Sequence, residues 1–425
     1  MRVILASVGT DGDIFPYVGL GAVLRSRGHK VVLAASANYE SLAELHGFEF
    51  APLISEEERL ELLGNPDFWN PLKTAPLCAR WGVRFIQRHY ELLSKLMAED
   101  TVLVANPGVL AAGLVHEKDG NPFASLVLQP WMIPSLIAPP AMPGLTFLRR
   151  APRPVWKAFW GALDVVGDIL VGRSLNRLRA SIGLKPMRRI FQNWLSPQLA
   201  LGLFPEWYGP PQADWPPQMR LAGFPMFDGG QVEEMSPQIL EFCRAGTAPV
   251  AFTFGTGMAH AAELFRSALE ACALLGLRGI FLTKYRDQLP DSLPPSILHS
   301  NFAPFQKLFP QCAAVVHHGG IGTVAKAMAA GTPQLICPIC FDQTDNGVRA
   351  KELGVGEWLH SRHRSGRQIA DALTRLMTLE TRSRCRVIAA RFENGHALEL
   401  AAQYIEGLAM GQVCPVLRKK TQLPH

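Results

Sequence analysis

The sequence predicts an α/β protein of two domains, each a parallel sheet wrapped in helices. Three observations carry that prediction. Continuous apolar runs alternate with helical patterns in the first half of the chain. The same alternation restarts after a Gly-, Pro- and acid-rich stretch near the middle, 223–238. The length, 425 residues, is that of two large domains.

The first run, VILASV (3–8), is apolar throughout, as a parallel strand buried on both faces should be. A turn, GTDGD (9–13), leads to Pro16 and a helical pattern through Leu20, Val23 and Leu24. Gly28 supplies the helix stop, and KVVLAA (30–35) completes a β-α-β unit. TVLVAN (101–106) and PFASLVL (122–128) read as further strands of the same sheet. The next stretch, 129–160, begins Pro-rich and apolar and predicts no regular element. Val155, Phe159, Leu163, Val166 and Leu170 then recur at helical spacing. In the second half, PVAFTF (249–254), RGIFLT (278–283), AAVVHH (313–318) and QLICPI (334–339) read as strands, with helices near 260–275 and 324–330. The boundaries follow: a first domain over 1–225, a linker over 226–240, a second domain over 241–405, and a C-terminal tail over 406–425 whose LRKKTQ is a solvated basic end.

With 48% hydrophobic residues and 18% charged, the chain can fill sizeable cores, which excludes global disorder. A net charge of +6 is mild and argues against a nucleic-acid binder. The basic excess is local, because 149–189 holds ten Lys/Arg against Asp164 and Asp168. That segment is either a core-facing amphipathic helix with a solvated basic face or a flap that meets a greasy acceptor or a membrane surface. No run is long enough to span a membrane, and the N-terminus reads as a buried strand, not a signal peptide. Eight scattered cysteines suggest reduced thiols in the cytosol, with peripheral membrane contact through 149–189. Cys337 and Cys340, inside QLICPICF, read as buried strand thiols and not as a metal or redox pair.

The richest stretch is HHGGIGTVAKAMAAGTPQLICPICFDQTDN (317–346). Gly319, Gly320 and Gly322 lie between a strand end and a helix start, where backbone amides and the helix dipole favour an anion. His317 could donate a hydrogen bond to a phosphate oxygen. Neither the P-loop nor the dinucleotide fingerprint is present. Asp342 and Gln343 follow the next strand on the same carboxyl edge, and a carboxylate beside an amide suits a sugar's hydroxyls. In the first half, Asp13 follows a strand end and should face the cleft. Its carboxylate is a candidate base for an acceptor hydroxyl, although an ordinary pKa of about 3.9 makes it a weak one. The alternative role is a helix N-cap. The D-G-D at 11–13 imitates a metal motif of another fold. A helix N-terminus can neutralise an anion without metal, so no metal and no resident cofactor is expected.

The block 317–346 resembles the donor signature of the UDP-glycosyltransferase-like enzymes at His317, Gly319, Gly322, Gly331, Pro333, Asp342, Gln343 and Asn346. GTDGDIFP (9–16) is similar to the loop that opens those enzymes, and 189–228 resembles rhamnosyltransferase catalytic chains of rhamnolipid synthesis. The resemblance implies a GT-B fold, two facing Rossmann-like domains around a cleft. It implies an inverting hexosyltransferase with a nucleotide sugar as co-substrate and a lipophilic hydroxylated acceptor in the first domain. By position it implies His317 at the diphosphate, with Gly319 and the amides of Gly320, Gly322 and Thr323. Gly255 and Thr256 would form a second phosphate loop. Phe302, beside Ala303, would stack on the base. Asp342 and Gln343 would hold the sugar, and Asp13 would be the base. His318 is expected to be structural, and His116 and Asp119 either support Asp13 or are surface residues. Ala325 stands where many relatives carry a ribose-binding Glu, which tilts the donor toward dTDP. Transfer of rhamnose from dTDP-rhamnose to a hydroxy fatty acid is the favoured expectation. UDP-glucose-dependent glucosylation of a sterol or polyketide is the alternative, and a silent nucleotide-sugar-binding subunit is the reading from another class.

Overall fold

The computed structural model describes residues 1–412 apart from 231–233, 256–257, 259, 361–362 and 393–395. The first sheet contains β1 (Arg2–Ala6), β2 (Lys30–Ser36), β3 (Glu49–Ile54), β4 (Thr101–Ala105), β5 (Phe123–Val127), β6 (Leu199–Gly202) and β7 (Met219–Leu221). Its strands are parallel and run in the order β3-β2-β1-β4-β5-β6-β7. The second contains β8 (Val250–Thr253), β9 (Gly279–Leu282), β10 (Ile297–Ser300), β11 (Ala314–His317), β12 (Gln334–Ile336) and β13 (Gly356–Trp358), again parallel, in the order β10-β9-β8-β11-β12-β13. These are two Rossmann-like units of the GT-B type. Each chain half enters at the middle of its sheet, builds outward in one direction and then reverses. Such a sheet opens a crevice at the carboxyl ends of the strands flanking the reversal. Those strands are β1 and β4 in one unit and β8 and β11 in the other, and predicted site residues follow β1, β8 and β11, with Phe302 after β10 and Asp342 and Gln343 after β12.

The helices that matter are α1 (Asp11–Ser26), α2 (Thr74–Leu96), α3 (Arg153–Gly167), α4 (Arg173–Ser181), α5 (Ile321–Ala329), α6 (Gln343–Glu352) and α7 (Ala397–Ala409). The first begins earlier than the sequence suggests. Thr10 is its N-cap and Asp13 its N3 residue, joined in a capping box, so the helix starts at Asp11 and Pro16 lies inside it. Asp13 is therefore not the N-cap. A second difference concerns the chain's division. Ala401, Ala402 and Ile405 of α7 are fully buried in the core of the first sheet beside Leu20 and Leu24, although the sequence division assigns residues through 405 to the second unit. Arg27 donates to Glu406 at 2.8 and 2.6 Å, and His29 lies 2.8 Å from the same carboxylate. The Arg27 hydrogen bond, above all, holds Glu406 down at about 2.

The stripe expected to face the core also sits differently. Val155 and Val166 are exposed, while Trp156, Asp164 and Gly167 are buried. The Trp156 indole donates to the Leu148 carbonyl at 2.9 Å, and Gln192 donates to Asp164 at 2.5 Å, so these partners choose the inward face. Cys337 and Cys340 are buried, and burial pushes the Cys337 thiol up to about 12. Among the described residues no helix is long and apolar enough to cross a membrane.

Candidate functional site

Asp13 lies one turn beyond the end of β1. Its Oδ2 accepts from the Thr10 amide at 2.9 Å and the Thr10 hydroxyl at 3.3 Å, while Ser7 Oγ donates to the Asp13 carbonyl at 3.0 Å. Gly9 has φ of +137°, and a Cβ there would stand 2.2 Å from the same carboxylate oxygen. Only glycine lets the chain turn so tightly around the acid. Burial raises the Asp13 pKa to about 6, against the lowering effect of the Thr10 bonds. It is a better base than its ordinary value suggests. His116 does not serve it: the ring is engaged with the Asn121 carbonyl at 2.7 Å and packs on Phe123. No hydrogen bond joins His116 or Asp119 to Asp13 among the described residues.

Across the cleft, β11 ends in His317 and the glycine loop runs into α5. The His317 ring is fully buried, and burial lowers its pKa to about 3, so the imidazole is neutral. Its Nδ1 accepts from the Gly319 amide at 3.1 Å, which puts the proton on Nε2 for donation to Gln334 Oε1 at 3.0 Å. Both nitrogens are thus committed, and the expectation that His317 donates to a diphosphate is corrected: it shapes the loop from beneath. Gly319, at φ +99°, has no room for a side chain, because a Cβ would stand 2.7 Å from Ile336 Cγ2. The histidine at the surface of the loop is His318. A Cβ on Gly320 would stand 2.6 Å from its Nε2 and one on Gly255 3.4 Å, so the ring lies between the two glycine loops. The ring is buried beside the Thr253 backbone, and burial lowers its pKa to about 4 against the raising effect of that backbone hydrogen bond.

Gly320 is the N-cap of α5, which places Ile321, Gly322 and Thr323 in the first turn. Their amides precede the first intrahelical bond, from the Val324 amide to the Gly320 carbonyl at 3.0 Å, and point out of the helix end. A Cβ on Gly322 would touch nothing within 4 Å, so a ligand can approach the backbone there. Gly255 follows β8 at φ +108°. Thr256 lies outside the described residues. Phe302, after β10, is 57% exposed and free to stack, but Ala303 is buried in the core beneath it and can offer a ligand only its backbone.

Asp342 and Gln343 open α6. Gln343 Oε1 accepts from the Ile339 and Cys340 amides at 2.7 and 3.0 Å, which ties the turn and leaves its NH2 for a ligand. Burial raises the Asp342 pKa to about 7, opposed by the Asn346 hydrogen bond and assisted by the charge of Asp13. The two carboxylates therefore feel each other across the cleft. Asn346, fully buried, donates to Asp342 Oδ2 at 2.6 Å and to the Gly319 carbonyl at 2.9 Å. Its Oδ1 accepts from the hydroxyl of Tyr208, in the first unit, at 2.7 Å. Asp345 accepts from the Ala141 amide at 2.7 Å and from Arg349 at 2.7 Å, and Arg349 donates to the Tyr208 carbonyl at 3.0 Å. Helix α6 is thus the beam on which the first unit positions the second. Sequence reasoning missed Tyr208 and Asp345; the spacing between 208 and 346 carries no local signal, whereas the buried polar run TDN after Asp342 and Gln343 could have drawn attention to Asp345.

Comparisons with known proteins follow this geometry. Residues 3–137 match the family described as glycosyltransferase family 28 N-terminal domain, and 280–398 match that described as erythromycin biosynthesis protein CIII-like, C-terminal domain. The chain is 30% identical over 404 residues to glycosyltransferase GtfE of Amycolatopsis orientalis, covering 92% of this chain and 93% of that one. It is 26% identical to a sterol 3-beta-glucosyltransferase of Aspergillus oryzae over 84% of this chain, but spans only 26% of that longer protein. In structure it is similar to the glycotransferase of kitacinnamycin, with a TM-score of 0.73 at 17% identity, covering 96% and 99% of the two chains. It is similar also to spinosyn rhamnosyltransferase SpnG complexed with thymidine diphosphate, with a TM-score of 0.66 at 18% identity, covering 95% and 100%.

Proposed function

The chain belongs to the UDP-glycosyltransferase-like GT-B family and is a hexosyltransferase, and we propose that it moves rhamnose from dTDP-rhamnose, with inversion, to a hydroxyl of a lipophilic acceptor such as a hydroxy fatty acid. The observation that carries this reading is the pairing of Asp13, its pKa raised to about 6, with Asp342 across a cleft floored by the N-terminus of α5. The diphosphate rests on the amides of Gly322 and Thr323, and the base stacks on Phe302. Asp342 and the Gln343 amide hold the sugar hydroxyls. Asp13 takes the proton of the acceptor hydroxyl as its oxygen attacks the anomeric carbon. The bond from that carbon to the diphosphate oxygen breaks in the same displacement, and the helix end stabilises the charge that develops. No metal is needed for that step.

Ala325, in place of a ribose-binding Glu, supports a deoxyribose donor. The thymidine diphosphate named with SpnG is consistent with it. The sterol glucosyltransferase relative favours a second reading, UDP-glucose with a sterol or other aglycone. The lipophilic acceptor sets the reaction beside a membrane, on the cytosolic side that the scattered cysteines of the sequence suggest. Incubation with dTDP-rhamnose and with UDP-glucose, each offered 3-hydroxy fatty acids and sterols, tests the donor by product mass. A deoxyhexose added to the fatty acid is the expected product. Turnover of UDP-glucose with dTDP-rhamnose untouched would overturn the donor assignment in favour of the second reading.

A further inference from the structure

The helix α3 is apolar on its outward face as well as its inward one. Its buried face carries Trp156, Gly167 and Asp164, the last hydrogen-bonded to Gln192. Its outward face carries Val155, Ala158, Ala162, Val165, Val166 and, in the next turn, Ile169, all exposed and spaced by 3, 4, 3, 1 and 3 residues. Val165 is 59% exposed and Ile169 68%, and Phe147, 70% exposed, stands in the turn that precedes the helix. Single exposed aliphatics are ordinary; a four-turn ridge without a charge on it marks a surface that meets something apolar.

The charges around the ridge say what that is. Arg150 and Arg153 lie before it, Lys157 beside its first turn, and Arg173 and Arg177 after it, all exposed and none in an ion pair among the described residues. The acids of the segment are turned away: Asp164 is buried, and Asp168 accepts from the Arg189 and Ile190 amides. A second copy of this chain docked ridge to ridge would set these cations against their own kind, and a nucleic acid gains nothing from the aliphatic face. An anionic bilayer satisfies both features, with the aliphatics in the acyl boundary and the cations among the headgroups. We infer that the outward face of α3, with its flanking arginines and lysine, docks the enzyme on an anionic lipid surface. The surface has a use because the acceptor is lipophilic, and to that extent it rests on that reading; its measurement needs neither donor nor acceptor.

Cosedimentation of the full chain with phosphatidylcholine vesicles and with vesicles containing phosphatidylglycerol tests this directly. Binding to the anionic vesicles should exceed that to the neutral ones at least tenfold and weaken in high salt. The double substitution V165E/I169E and, separately, R153Q/K157Q/R173Q should each remove most of it while leaving the melting temperature unchanged. Equal partition to both vesicles, no binding by the unaltered chain, or a ridge whose substitution only abolishes self-association on a sizing column would overturn the proposal. Glycosyl transfer assayed in solution is a separate readout, so a failure to bind vesicles leaves the reaction standing, and the reverse holds too.

Discussion

The two walls of the cleft are built on the same plan and differ in how firmly they are set. On the wall of the second unit, the proposed donor side, His317, Gln334 and Asn346 are fully buried, and Gln343 nearly so, each hydrogen-bonded to the glycine loop, to the turn before α6 or to one another. On the wall of the first unit, the proposed acceptor side, the Asp13 carboxylate accepts hydrogen bonds from Thr10 alone among the described residues. A diphosphate and a sugar ring have fixed shapes and reward a preorganised mould. A base that collects a proton from varied acceptors needs a poised pKa more than a rigid frame. Asp342 joins the walls, because its fastening runs through Asn346 to Tyr208 of the opposite unit.

The largest expected effect breaks the acceptor wall. Asp13→Asn should lower kcat by about 10²–10⁴-fold, the range for a lost general base, with donor affinity by calorimetry little changed. Weaker donor binding in step with kcat would mean that Asp13 belongs to the donor wall as well. Next, Asn346→Ala removes three hydrogen bonds in a buried site and should lower donor affinity and kcat together. It should also raise the pH at which the Asp342 carboxyl titrates, read by NMR, because the Asn346 bond lowers the Asp342 pKa.

The pH dependence sharpens the contrast. In the unaltered enzyme kcat/KM should fall as pH drops through about 6, where Asp13 takes up its proton. Stability runs the other way for these raised carboxyls. Each is favourably neutral in the fold, so ionising it costs stability as pH rises from its ordinary value toward the folded one. Asp342→Asn should therefore raise the melting temperature at pH 8 by a few degrees, on the order of the ~4 °C that accompanies 1 kcal/mol in a large domain, and do little at pH 4. An equal rise at both pH values would show that charge is not the cause. The smallest effect is that of Tyr208→Phe, which removes one buried hydrogen bond worth about 1 kcal/mol. It should weaken donor binding by a few-fold, and the acceptor KM should stay put.

The grouping of the glycines, Asp342, Gln343 and Asn346 was largely legible in the sequence, because they fall within one strand-loop-helix-strand-helix stretch where spacing dictates geometry. Asp13 was legible for the same reason, as the acid just beyond a strand end. The side chains' directions were not. Which of two adjacent histidines turns inward depends on Gln334, a strand away, and which face of α3 is buried depends on Leu148 and Gln192 accepting and supplying hydrogen bonds. Helical period finds the stripe but not its compass bearing. Tyr208 and α7 were invisible because they act on residues far off in the chain.

The packing of α7 has a consequence for the order of assembly. The first sheet's core includes Ala401, Ala402 and Ile405, so the domain translated first carries a gap that only a late segment closes. On the ribosome the N-terminal half must wait, its groove along α1 open to water, until the second half has been made and α7 emerges. Synthesis runs from one end, yet completion of the fold runs from the other. Expressed alone, the first half would expose that groove, and it should reach the soluble state only when the helix 397–409 is supplied.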